Sequence, residues 1–169
     1  RIITKVINAF FCWDFNSCEA ILKNDILWPI DFANACPDIA ITSLHYYFPW
    51  AIKSLLAWSL FCTVTRRPMH ISMDIQPYFA IADSDLSYDE KLTAYEKLAD
   101  AHFQTEEFNE FRAGTLSQLD EMMWRLAQSE EFDYILVQTV QTTFPPHEHE
   151  QYIAHYRGLL RHWVEAESR

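Results

Sequence analysis

Glycine is nearly absent: there are 2 in 169 residues. A phosphate-cradling loop of the Walker or dinucleotide type needs several glycines, because the backbone must approach the phosphate closely. This chain therefore holds no nucleotide with a Gly-rich loop of its own. Basic residues are also scarce: 13 Lys and Arg stand against 24 Asp and Glu, for a formal net charge of −11. Such an average field repels nucleic acid backbones and anionic membrane surfaces. The only short basic cluster is Thr65-Arg66-Arg67. The four cysteines, Cys12, Cys18, Cys36 and Cys62, have no CxxC spacing, which argues against zinc; reduced thiols are expected. An uninterrupted apolar run is missing too. Leu44 to Val64 contains His45, Pro49 and Lys53, so it reads as a buried helix and not as a membrane span. A cytoplasmic protein is expected, with no nucleic acid or membrane partner. The chain begins at Arg1, without Met and within a helical pattern, as a fragment of a longer chain would.

What is present is apolar bulk. Half the residues are hydrophobic and 15% are aromatic, enough for a real core. Residues 2–12 read as a short helix. Residues 15–22 and 27–34 read as strands joined by a turn at Lys23-Asn24-Asp25. Ser43 is placed to cap a long helix ending near Thr65, with Pro49 as an early kink. Pro77 opens a short helix, and Ser87 with Glu90 forms a capping box for the helix after it. Residues 106–127 are helical, with a break expected at Gly114. Residues 129–142 are helical by context although strand-like by propensity. In the last helix Thr143 is expected to cap, and Tyr152, Ile153, Tyr156, Leu159, Leu160, Trp163 and Val164 form one apolar stripe.

The hairpin is the unusual segment. A three-residue loop, Asn24 to Ile26, would place Cys18, Ala20, Leu22, Trp28, Ile30 and Phe32 on one apolar face. The other face then sets Glu19 directly opposite Asp31. Like charges so placed destabilise by roughly 0.2–1 kcal/mol, a cost that disappears if a divalent cation lies between them. A hard cation such as Mg²⁺ prefers carboxylate and amide oxygens, and Asn34 is a third oxygen donor nearby. From spacing alone, a polar face with both acids hydrated is the simpler alternative.

This segment resembles the C-terminal metal-binding strands of the ATP-grasp ligases, most nearly the glutathione synthetase and ribosomal-protein glutamate ligase group. In that group an acid on one strand is followed by a turn and an acid-x-Asn-x-x-Pro segment. Here Glu19 matches the first acid, Asp31 the second, Asn34 the amide and Ala35-Cys36-Pro37 the small-x-Pro that follows. Asp31 stands where Glu is usual, and it is three residues from Asn34 where two is usual. A β-bulge at Phe32–Ala33 would return Asn34 to the acidic face. The resemblance covers residues 2–40. It implies Glu19, Asp31 and Asn34 as Mg²⁺ and ATP ligands rather than bases, a small carboxylate substrate, and phosphorylation of that carboxylate before an amine or thiol attacks. The lysine and hinge residues of the family would lie upstream, so this chain carries half a site and no catalytic residue. By itself it is expected not to hydrolyse ATP. The missing half, or a second copy of the chain, is its expected partner.

Other polar groups read as structural. Asp14 and Asn16 suit the turn before the first strand, although Asp14 could assist a metal. His147 and His149 are two apart on a helix and point away from each other, which is wrong for one ion; His155 lies near the apolar stripe as a core-edge residue. His45-Tyr46-Tyr47-Phe48-Pro49-Trp50 reads as core packing before pocket wall. The expectation is an α+β chain, with residues 1–42 the metal-binding part of an ATP-grasp-like domain and residues 43–169 a helical extension. The competing expectation is a non-catalytic helical interaction or scaffold module.

Overall fold

The computed structural model describes residues 2–35 and 37–167, apart from the side chains of Ala33 and Asn34. In chain order it has α1 (Ile2–Phe11), β1 (Ser17–Lys23), β2 (Ile26–Asn34), α2 (Ile41–Leu44), a 3₁₀ turn (His45–Tyr47), α3 (Phe48–Thr65), α4 (Gln76–Ala82), α5 (Tyr88–Phe103), α6 (Thr105–Thr115), α7 (Leu119–Leu126), α8 (Glu130–Thr143), a second 3₁₀ turn (Pro146–Glu148) and α9 (His149–Glu167). The fold class is α+β: helices dominate, and β1 and β2 form a two-stranded antiparallel sheet. The chain divides by contact into two units, Arg1–Pro37 with Arg66–Glu110, and Asp38–Thr65 with Phe111–Arg169. The hairpin thus shares a unit with residues assigned to the helical extension in the linear division at residue 42.

In the first unit α1 packs on α5, and the buried Ala9 and Ala99 offer small side chains there. Lys5 forms an ion pair with Asp100 across the two helices. Tyr78 of α4 meets Phe10 edge-on at 5.2 Å and stacks with Tyr95 of α5 at 6.1 Å. The capping box at Ser87 and Glu90 forms as expected. Gln104, in a left-handed conformation (φ 51°), ends α5. The Arg67 side chain is buried; its guanidinium donates to the His102 carbonyl at 2.8 Å and lies 3.4 Å from Asp14. The His70 and His102 rings are 4.8 Å apart.

The second unit is built around α8 and α9. Ile41, Phe48, Phe132, Leu136, Val140, Tyr156 and Leu160 form its buried cluster. The expected α9 stripe is therefore inside the unit, and Trp163 is buried as well. Arg157 grips Asp133 with two hydrogen bonds of 2.6 Å. The strand-like run Tyr134–Val140 is helical because Ser129 accepts the Phe132 N–H at the N-terminus of α8 and the apolar residues then fall at helical spacing. Lys53, the charge inside the apolar run, is buried with its Nζ 2.7 Å from Asp120. Among the described residues no helix is long and apolar enough to cross a membrane, and Cys12, Cys18 and Cys62 are not in disulfides; Cys36 lies outside the described residues.

Three local expectations are corrected. Ser43 does not cap: its hydroxyl donates to Asp38, whose carboxylate also accepts the Ala40 N–H at 2.8 Å. The helix restarts after the 3₁₀ turn, with Pro49 in the first turn of α3, where its missing N–H costs nothing. The break near Gly114 falls at Leu116–Gln118 instead, since Gly114 keeps a negative φ inside α6. Thr143 ends α8, donating to the Thr139 carbonyl at 2.7 Å, because Phe144 and Pro145 are extended and α9 is entered through the second 3₁₀ turn.

Two measurements probe these packings. Trp163→Ala removes a side chain only 2% exposed and should cost about 3–5 kcal/mol, read as a lower urea midpoint; an unchanged midpoint would make α9 peripheral. His102 has its pKa pushed below 6.5 by burial, then by His70 and Arg67, against the pull of Asp14. A histidine kept neutral in the fold contributes stability that is intact above the unfolded pKa and is lost as pH falls below it. Urea midpoints should therefore drop as pH decreases below 6.5, and His102→Gln should flatten that part of the curve. Parallel curves for the two proteins would remove His102 from the account.

Candidate functional site

The hairpin is closed by a two-residue turn. Asn24 and Asp25 both have positive φ, 53° and 59°, the left-handed pair that a type I′ turn requires and that Asn and Asp tolerate best. Beyond it Lys23 faces Ile26, Ile21 faces Trp28, Leu22 faces Leu27 and Ala20 faces Pro29. The expected three-residue loop is thus corrected, and with it the single apolar face. Ile21 and Trp28 lie on one side of the ribbon and Leu22 and Leu27 on the other, and they are 49–68% exposed.

The ladder then shifts twice. Ala20 faces Pro29 but Glu19 faces Asp31, so Ile30 is an extra residue in β2; Ser17 faces Asn34, so one more residue is taken up at Phe32–Ala33. Each bulge serves one of the two expectations. The first rescues the Glu19–Asp31 pair from a turn that would otherwise have misaligned it. The second is the bulge expected from the three-residue Asp31–Asn34 spacing, and it makes Ser17, two residues before Glu19, the register partner of Asn34. The side chain of Asn34 lies outside the described residues.

Asn16 braces this region. Its Nδ2–H donates to the Phe32 carbonyl at 2.9 Å, satisfying a backbone acceptor inside the second bulge. Its Oδ1 is buried without a hydrogen bond. Reading Asn16 only as a turn residue missed this role; the sole signal was a short amide side chain next to a strand that needed an extra residue. Glu19 and Asp31 are exposed and make no ion pair among the described residues. Asp14 lies beside Arg67.

The remaining candidates do not converge. His149 Nε2 lies 2.8 Å from the Phe144 carbonyl, and His147 is 3.6 Å from Glu148. His155 is exposed, and its ring stands edge-on to the buried Tyr156 at 5.3 Å, at the edge of the core as expected. Phe48 and Pro49 are buried while Tyr47 and Trp50 remain exposed. No group of three or more His, Cys, Asp or Glu side chains arranged for a metal occurs among the described residues. Comparison with known protein families, curated proteins and solved structures finds no match.

Asn16→Ala should free the Phe32 carbonyl and weaken the bulged end of the hairpin by about 1 kcal/mol. The check is backbone NMR, in which cross-strand contacts at Glu19–Asp31 should fade while those at Ile21–Trp28 persist. Equal persistence of both would mean that the bulge holds without Asn16.

Proposed function

We propose that this chain is the C-terminal portion of an ATP-dependent carboxylate–amine or carboxylate–thiol ligase of the ATP-grasp kind, acting in the cytoplasm, with Glu19, Asp31 and Asn34 as ligands for Mg²⁺ and its ATP. The observation that carries the reading is the ladder itself: two uncompensated acids stand opposite each other, and a bulge follows where the three-residue spacing to Asn34 requires one. The donor set fits the ion, since two carboxylates and an amide are hard oxygen ligands. Bound there, Mg²⁺ would neutralise charge on the phosphates of ATP. This chain's part is to hold the two carboxylates on a short ribbon; the residues that grip the nucleotide, and the carboxylate substrate, belong to the rest of the enzyme. A second reading, a helical interaction module, is favoured by the apolar side chains that the hairpin leaves exposed.

Mn²⁺ titration followed by NMR separates the two. Under the ligase reading, paramagnetic broadening starts at the amides around Glu19, Asp31 and Asn34, and Glu19→Gln or Asp31→Asn weakens binding about tenfold or more. Broadening spread evenly over the acidic helix faces, or none at the hairpin, would favour the interaction module.

A further inference from the structure

The two edges of the hairpin are not equivalent. In an antiparallel ladder closed by a two-residue turn, the pair flanking the turn exchanges hydrogen bonds and every second pair does so again. Lys23 with Ile26 and Ile21 with Trp28 are therefore the bonded pairs. The N–H and C=O groups of Ala20 and Leu22 point away from β2, while Pro29, opposite Ala20, turns its missing donor towards the outer edge of β2. Proline there blunts that edge. The outer edge of β1 has no such block, and the sheet among the described residues has only these two strands. A two-stranded ribbon standing alone in water is marginal, and this one leaves Ile21 53%, Leu22 68% and Trp28 55% exposed.

The open edge reads Glu19-Ala20-Ile21-Leu22-Lys23, and it is complementary to itself. We propose that two copies of the chain pair antiparallel through β1, about a two-fold axis at Ile21, to make a four-stranded sheet. In this register Ala20 faces Leu22 of the second copy, and these are the residues whose backbone groups point outward. Ile21 faces its own copy, extending the Ile21–Trp28 row across all four strands. Glu19 faces Lys23 of the second copy, and the symmetry makes that ion pair twice. Centring the axis on Ala20 or on Leu22 keeps the hydrogen-bond phase but sets Glu19 opposite Ile21 or Asp25, so the charges select Ile21. The net charge of −11 on each copy opposes association at long range, but beyond about 8 Å it is screened at physiological salt. The contact stands without the metal reading, since it needs neither Asp31 nor a cation.

Sedimentation of the full chain at physiological salt, with EDTA present, tests it. The wild type should reach dimers. Lys23→Glu and Glu19→Lys each set like charges opposite each other twice and should weaken the dimer roughly tenfold. The double variant E19K/K23E, which restores opposite charges in the same register, should return to wild-type association. NMR of the hairpin in each variant confirms that the ribbon is formed. A wild type that stays monomeric, a dimer indifferent to both single reversals, or a double variant no tighter than the singles would each overturn the proposal.

Discussion

A two-residue turn at Asn24–Asp25 sets the register from which the rest of the hairpin departs. Both residues occupy the left-handed region, which matches the turn to the twist of its strands and fixes the register from Lys23–Ile26 outward. Left uninterrupted, that register would set Glu19 opposite Ile30 and separate the two acids. The extra residues in β2 reverse this within a few positions. The cost is lost ladder bonding, one carbonyl of which is answered by the amide of Asn16. Realigning particular side chains is what bulges commonly accomplish, and here two register shifts fall along the nine residues of β2.

The second unit obeys simpler rules. Its buried cluster is drawn mainly from α8 and α9, with Ile41 and Phe48 completing it, and the apolar stripe of α9 meets that of α8 much as spacing alone would arrange. Polar groups at its margins are paired: Lys53 with Asp120, Arg157 with Asp133. Asp120 and Asp133 are each held below the usual carboxylate range, mainly by hydrogen bonds from those cations. Both aspartates are partly exposed, so these pairs fix orientation more than they add stability.

Legibility in the sequence followed the range of the forces involved. Helices with local signals were readable: the Ser87–Glu90 box and Pro77 mark starts through contacts a few residues long, and the α9 stripe repeats often enough to be unambiguous. Ser43 and Thr143 carried the right chemistry for caps, but their hydroxyls donate to Asp38 and to the Thr139 carbonyl instead of accepting a first-turn N–H. A cap motif does not reveal which of a hydroxyl's nearby partners wins. The opposition of Glu19 and Asp31 was inferred through a loop one residue too long, and it survives because the first bulge adds a residue that the inferred loop had already counted. The second bulge was visible as an anomaly in spacing. The apolar alternation of β1 and β2 suggested burial that the described residues do not supply, because alternation reports which side chains share a face and not what covers it.

The two proposals meet at one carboxylate. Within the chain Glu19 faces Asp31; across the proposed dimer edge it faces Lys23 of the second copy. A divalent cation and that ammonium would be alternative counter-charges for the same repelling pair. If both reach Glu19, each must change the other's affinity by the same factor, because the coupling is a single free energy. The sign follows from the charges. A cation held between Glu19 and Asp31 cancels the field that draws Lys23 in, so metal and dimer should oppose each other, whereas an acid pair with no metal gains from the second copy. The ribbon would then change partner according to whether its acids are occupied, and dimerisation would belong to the metal-free state.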